Sequence, residues 1–424
     1  MNTNQDALKA IQKKLVGKRL SYREIYAVMD EIANDRLGDI LTTYFAASGY
    51  AKGFTFDEIY YLTKAMVETG EKLEFKGIIA DKHSIGGLPG TRATMIVVPI
   101  VASAGFKIPK SSSRAITTPA GTADCMETIA DVTFDKDRIY SIVEKTNGCI
   151  VWGGSFKIAP ADDEIIHVEE PLAFESYDKI LVSVMAKKIA FGSNHIIIDI
   201  PWGKTMKVHS LEDAQSLARK FKFLAGKFDL KLEVLITKSS QPAGNGIGPL
   251  LEAADALRVL EQSDDRPIDL EEKSLDLSGA LLNLCIKDAN DEMKENFISQ
   301  YKTGREWAAD ILRSGKAHAK MMEIIKAQGG NAHVKSTDLR PGKFSKTIKS
   351  SKSGEVSHVN CRNISILARI LGAPQDARSG LFLHRRVSDK VAAHAELYTF
   401  YSDSEKRISE AVDSIQMFPI YDIE

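Results

Sequence analysis

The chain is poor in cysteine, with Cys125, Cys149, Cys285 and Cys361 alone among 424 residues and no C-x-x-C pair. That scatter argues against a disulfide framework or a thiolate zinc site and points to a reducing compartment. Net charge is equally scant: 56 basic side chains face 57 acidic ones, for a formal −1. No global field favours nucleic acid or an anionic membrane, so a small-molecule partner is the expectation. No stretch approaches the roughly 18 to 20 apolar residues that span a bilayer, and the N-terminus M-N-T-N-Q-D-A-L-K lacks the apolar centre of a secretory signal. The reading is a cytoplasmic protein without membrane or nucleic-acid partners. The nine histidines show neither H-x-H nor H-E-x-x-H spacing, which argues against a catalytic metal. G-x-x-x-x-G-K-[ST] and G-x-G-x-x-G are both missing, which disfavours P-loop and dinucleotide-dependent enzymes.

What is present centres on two short stretches. The first is D-K-H-S-I-G-G-L-P-G-T-R-A-T, Asp81 to Thr94, and the second K-S-S-S-R-A-I-T-T-P-A-G-T, Lys110 to Thr122. Together they hold lysine, arginine, histidine, several hydroxyls and close-set glycines, the inventory for wrapping an anion in backbone N–H groups and side-chain donors. Each also has a plainer reading, the first as a glycine-rich turn and the second as a solvated polar loop. Both follow consecutive expected strands, and neighbouring loops at one sheet edge converge. His83 taken alone is more often a packed or surface histidine than a catalyst; beside Lys82 its pKa is expected to fall. Q-P-A-G-N-G-I-G-P, Gln241 to Pro249, reads as a ligand loop or, preferably, as a turn before a helix at Leu250.

Along the chain, residues 1–75 read as helices only. Leu8, Ile11 and Leu15 recur at helical spacing, and Ser21-x-x-Glu24 and Thr55-x-x-Glu58 look like capping boxes. Gly77 to Ile79 predicts a short strand feeding the Asp81 loop, and Thr94 to Ala104 an apolar helix kinked at Pro99. Pro119 to Thr122 predicts a helix start ahead of Ala123 to Ile129. Further strands are expected at Phe106–Pro109, Cys149–Trp152, His195–Ile200 and Leu232–Thr237, with a helix opened by Ser210-x-x-Asp213. Strands alternating with helices imply a mostly parallel sheet. Helical character over 162–191 interrupts the alternation and is expected to cross back to the N-terminal helices. Residues 265–328 read as mainly helical. A Lys/Ser run from Lys343 to Glu355 is taken as a boundary before a C-terminal part with a helix near Ile364–Leu371 and strands near Leu381–His384 and Leu397–Tyr401.

D-K-H-S-I-G-G-L-P-G, I-P-K-S-S-S-R-A-I-T-T-P-A-G-T-A-D, C-I-V-W-G-G with A-P-A-D-D, S-V-M-A-K-K and Q-P-A-G-N-G-I-G-P-L-L-E-A closely resemble the thymidine phosphorylase family. The resemblance runs from about residue 10 to the end and is nearest the branch that holds the AMP phosphorylases and the bacterial proteins labelled putative thymidine phosphorylases. It implies an α/β protein of three parts: a small all-helical domain (1–75, completed by about 162–191), a central mostly parallel α/β domain (76–161 and 192–335) and a small C-terminal α/β domain (340–424). It also implies a homodimer with the site in a closing cleft between helical and α/β domains. AMP phosphorylases carry an extra N-terminal domain that this chain is expected to lack. The implied reaction is reversible phosphorolysis, in which inorganic phosphate attacks the anomeric carbon of a nucleoside or nucleoside 5′-monophosphate, with no metal or organic cofactor.

Position by position, the resemblance puts the attacking phosphate on Lys82, Ser84, Thr94, Ser112 and Thr122, and His83 on the base carbonyl. Ser183 and Lys187 fall where pyrimidine enzymes contact the base, while Glu169 replaces the arginine that completes that contact. From the AMP phosphorylases, Gly87, Ser113, Arg114, Ala115, Ile116, Thr117, Thr118, Thr122, Ser183 and Lys207 are carried over as nucleotide-binding, and Glu175 as the proton donor. Three readings follow: an AMP phosphorylase-like pentosyltransferase yielding free base and ribose 1,5-bisphosphate, a thymidine or pyrimidine nucleoside phosphorylase, and a nucleotide or phosphate sensor without catalysis.

Overall fold

The computed structural model describes residues 4–115, 118–155, 157–169 and 177–424, the side chains of 50–52 apart. Four helices come first: α1 (Gln5–Leu15), α2 (Tyr22–Ala33), α3 (Gly38–Lys52) and α4 (Phe56–Glu68). Both expected capping boxes form, with Glu24 and Glu58 accepting from the cap amides of Ser21 and Thr55 at 2.7 and 2.9 Å. On α1 the expected face is turned: Leu15 is exposed, and Ala7, Ala10, Ile11 and Lys14 are buried. Ala7, Ala10 and Ile11 pack into the apolar core, and Lys14 turns inward with them, its ammonium paired with Glu58 at 2.8 Å.

The central part begins with β1 (Ala80–Ser84), α5 (Thr94–Ser103), β2 (Ile108–Ser112), α6 (Thr122–Glu127), α7 (Lys136–Thr146) and β3 (Gly148–Trp152). The chain then returns to the first four helices through α8 (Pro160–Glu169), packed on α2 and α3, and α9 (Tyr177–Ala190), packed on α4. Ile165, Leu181 and Met185 thereby join the core made by Ile25, Met29 and Ile59. β4 (His195–Trp202), α10 (Leu211–Lys227) and β5 (Lys231–Lys238) rejoin the sheet. They are followed by β6 (Gly246–Ile247), α11 (Pro249–Glu261), α12 (Ile268–Ile286), α13 (Asp291–Gln300), α14 (Gly304–Arg313) and α15 (Lys316–Ala327).

β5, β4 and β1 pair in parallel, as do β2 and β3, and a single parallel bridge from Ile79 to Lys107 joins the groups in the order β5-β4-β1-β2-β3. The winding direction changes between β1 and β4, so a crevice opens there beyond the carboxyl ends of the strands. Helix α5 is buried from Thr94 to Ala102, as an all-apolar helix must be, and stays helical through Pro99.

Two boundaries differ from the sequence reading. Asp81 to Ser84 belong to strand β1, paired with Ile196 to Asp199, so the turn proper starts at Ile85; Lys110 to Ser112 likewise end β2. Polar residues are tolerated in these strands because their backbones are paired while Lys82, His83, Ser84 and Lys110 to Ser112 line the crevice and buried Asp81 is neutralised by Lys188 and Lys110.

The C-terminal part comprises β7 (Phe344–Lys349), β8 (Gly354–Val359), α16 (Cys361–Leu371), β9 (Gly380–Leu383), β10 (Lys390–Val391), β11 (Glu396–Ser402), α17 (Glu405–Asp413) and β12 (Tyr421–Ile423). Its strands pair antiparallel in two sheets, β6-β9-β11-β7 and β10-β8-β12. The Lys/Ser run expected as a boundary instead forms β7 and the start of β8: with Lys346 and Lys349 exposed, it suits an edge strand.

Candidate active site

The carboxyl ends of β1 to β4 open into a cleft of about 710 Å³ whose far wall is α8 and α9. Ten lysine and arginine side chains line it against two carboxylates, Asp163 and Glu169. A cleft of that sign is made for an anion. Of the expected residues, Lys82, His83, Ser84, Gly87, Thr94, Ser112, Ser113, Arg114, Ala115, Thr118, Thr122, Ser183, Lys187 and Lys207 all line this space. Ile116, Thr117 and Glu175 lie outside the described residues.

At the sheet end, Lys82 Nζ lies 3.4 Å from Thr94 Oγ1 at the start of α5. Arg92 reaches Thr122 Oγ1 at 3.3 Å while its Nε is held by buried Glu252. Ser112 is buried, and its hydroxyl meets no hydrogen-bond partner among the described residues. A buried hydroxyl without a protein partner, in a cleft that Lys82 and Arg92 also line, is suited to an anion oxygen. Ser84 donates to Asp199, whose other oxygen accepts from Lys273 Nζ at 2.9 Å. Lys273 can therefore keep Asp199 paired if Ser84 turns toward a ligand.

The glycine turn abuts the loop after β4. Gly87 has φ +80°, and a Cβ there would sit 2.7 Å from Lys207 Cγ and 2.8 Å from its backbone nitrogen. Tyr177 fixes the same loop by donating to the Lys207 carbonyl at 3.0 Å. The stretch after β2 is held by Asp124, which accepts from the amides of Ala115 and Gly121, both at 2.7 Å. Arg114 forks onto Glu127 and lies 5.0 Å over the Trp152 ring.

On the far wall, Asp162 Oδ2 accepts from Ser183 Oγ and from Lys187 Nζ, each at 2.7 Å. Glu169 pairs with Lys179. Beneath the strands Asp81 holds Lys188 at 2.8 Å and Lys110 at 3.6 Å.

Burial and this crowd of cations set the protonation states. Burial, aided by Lys273 and Arg92 against Asp199 and Asp81, brings the Lys82 ammonium down to about 8. Burial and the fields of Lys188, Lys110 and Lys82 push the His83 imidazole well below its ordinary value, so it is neutral near pH 7. Partial desolvation raises Asp163 to about 6, against the pull of Lys187, with its side chain still about half exposed to the cleft. Burial lowers Lys179 to about 8. For Lys187, Asp162 and Asp163 outweigh burial and hold the ammonium above its usual value.

Sequence reasoning missed Arg92, Lys110, Lys179, Lys188 and Lys273 as cleft residues. Arg92 and Lys110 stood inside the two motifs, whereas Lys273, on distant α12, carried no local signal. The Gln241 to Pro249 stretch is structural, in line with its preferred reading. Arg386 binds the carbonyls of Ala243 and Gly244, both at 3.0 Å, and Gly244 in turn donates to the Gly90 carbonyl at 2.7 Å. Among the described residues no group of three or more His, Cys, Asp or Glu side chains is placed to hold a metal ion.

Comparison with known proteins identifies the family. The helical bundle domain of the glycosyl transferase family matches residues 8–70, and its a/b domain matches residues 76–318. AMP phosphorylase of Methanocaldococcus jannaschii is 44% identical over 98% of this chain and 80% of its own length. This chain belongs to the thymidine phosphorylase and AMP phosphorylase family. A second relative in that family, AMP phosphorylase of Thermococcus kodakarensis, is 41% identical over 96% of the chain and 79% of its own length. Anthranilate phosphoribosyltransferase of Thermus thermophilus shares the fold, with a TM-score of 0.60 at 18% identity, covering 76% of this chain and 99% of that one. The protein is thus a glycosyltransferase built as a helical bundle plus an α/β domain.

Proposed function

We propose that the protein catalyses reversible phosphorolysis of AMP, giving adenine and ribose 1,5-bisphosphate. The observation that carries this is a cleft with two cationic stations supplied by different loops. One is Lys82 and Arg92 beside Thr94, Ser112 and Thr122; the other is Lys207 against Gly87. A nucleoside needs only the first, for the attacking phosphate, whereas a 5′-monophosphate also needs the second. AMP phosphorylases at about 40% identity over nearly the full chain support the same reading.

In the forward direction a phosphate oxygen bonds to C1′ as the bond from C1′ to the base nitrogen breaks and its electron pair leaves with the base. The sugar passes through an oxocarbenium-like state, so holding the nucleophile in line and relieving charge on the base are the two tasks. Lys82, Arg92 and the hydroxyls orient phosphate; neutral His83 offers a hydrogen bond at the base side, and Glu175 is assigned the proton donated to the departing base. Phosphate is the co-substrate, with no metal or organic cofactor in the scheme. The proposed form is a cytoplasmic homodimer, in keeping with Val16, Ile40 and Tyr44, large apolar side chains exposed on or just after helices α1 and α3, which pack together.

Incubating the protein with phosphate and AMP, CMP, UMP, thymidine or uridine in turn, and following free base and sugar phosphate, tests the proposal. AMP turnover with ribose 1,5-bisphosphate as product is expected. Turnover of thymidine with no monophosphate consumed would overturn it in favour of a pyrimidine nucleoside phosphorylase.

A further inference from the structure

Ser183 and Lys187 aim at the same atom, Asp162 Oδ2, each at 2.7 Å. Asp162 is fully buried, and its other oxygen meets no hydrogen-bond partner among the described residues. A carboxylate so placed holds the protons donated to it, because giving one up leaves buried charge uncompensated. Ser183 has a single hydroxyl proton. With that proton on Asp162, its oxygen presents only lone pairs to the cleft. Ile166, Ile180 and Val184 on the same two helices add apolar surface, suited to the flat face of a heteroaromatic ring.

We infer that Asp162 is a positioning residue that fixes Ser183 Oγ as a hydrogen-bond acceptor, so that the cleft selects purines carrying a 6-amino group over those carrying a 6-oxo group. The inference rests on the phosphorolysis reading for the placement of the base against α8 and α9. An exocyclic amino group donates to the Ser183 oxygen. A carbonyl in its place sets lone pair against lone pair at Ser183, and because Lys187 directs its ammonium to Asp162 and Asp163 at 2.7 and 3.8 Å the compensation from that side is partial, leaving a difference of about tenfold in affinity.

The test is calorimetric binding of adenine and hypoxanthine to the full chain in the presence of inorganic phosphate, alongside AMP and IMP turnover. Adenine is expected to bind about tenfold more tightly. Ser183→Ala should level the two bases. Asp162→Asn, whose amide can donate to Ser183 and release the serine proton toward the cleft, should shift the ratio toward hypoxanthine, with the change in KM rather than kcat. Equal affinities in the parent protein, tighter hypoxanthine, no binding of either base, or a ratio unmoved in folded variants would each overturn the inference. Should Asp162→Asn fail to fold, Ser183→Ala decides alone. Selective adenine binding without turnover of any nucleotide would instead defeat the proposed reaction and uphold the base rule, whereas AMP turnover with equal base affinities would defeat the rule alone.

Discussion

Lys82 stands between two opposed demands, since the burial that brings it under a ligand also weakens its charge. Its ammonium, brought down to about 8, is charged below that pH and neutral above it. Phosphate stays anionic throughout, so the attraction is present at lower pH and lost as pH rises through 8. The KM for phosphate, measured between about pH 6 and pH 10, is therefore expected to climb from near pH 8. Lys82→Arg should flatten that climb because a guanidinium keeps its charge, though with a lower kcat from changed geometry. A phosphate KM that stays level across the range in the parent protein would remove Lys82 from the phosphate site. Lys179 titrates in the same region, but it lies on the α8 and α9 wall, so its effect belongs in the KM for nucleotide.

The glycine turn after β1 couples one element to another, and Gly87 and Gly77 allow the coupling to be separated from backbone strain. Both have positive φ, +80° and +89°, but a Cβ at Gly87 would strike Lys207, whereas at Gly77 nothing lies within 4 Å. Alanine at either position should cost about 1–2 kcal/mol through left-handed strain. Gly87→Ala should in addition raise the nucleotide KM about tenfold, because moving the Lys207 backbone misplaces a binding group by a fraction of an ångström. Chemical denaturation and steady-state kinetics on both variants check this; equal kinetics would mean that the turn and the Lys207 loop are uncoupled. Local signals made much of this level legible in the sequence. Capping boxes at Ser21 and Thr55, the all-apolar α5 and the hydroxyl-rich ends of β1 and β2 each announce themselves within a few residues. The polar interior of β1 was not legible, because Asp81 to Ser84 become strand only through pairing with Ile196 to Asp199, more than a hundred residues on. Lys273 escaped for the same reason, since what identifies it is the distant carboxylate of Asp199, whereas Arg92 and Lys188 stood inside quoted motifs and only their partners, Glu252 and Asp81, were out of local reach.

At the scale of the whole molecule, the C-terminal part is tied to the phosphate end of the cleft. Arg386 lies between β9 and β10, yet its guanidinium donates to the carbonyls of Pro242, Ala243 and Gly244 and to Asn245 Oδ1. That loop carries the Gly244 amide that holds the Gly90 carbonyl, four residues before Thr94 opens helix α5. A second link runs through apolar contact, with Leu88 of the glycine turn packed on Met206 and Cys361. Arg386→Ala leaves several loop carbonyls without a donor and should destabilise the fold by about 2–4 kcal/mol. If the C-terminal part also positions the site, kcat/KM should fall about tenfold at temperatures where the variant remains fully folded, since a site loosened by under an ångström loses rate on that order. Arg386→Lys, which can reach only part of the acceptor set, should fall between the two. A destabilised Arg386→Ala protein with parent-like kcat/KM would show that the C-terminal part contributes stability alone and leaves the geometry of the cleft to the central sheet.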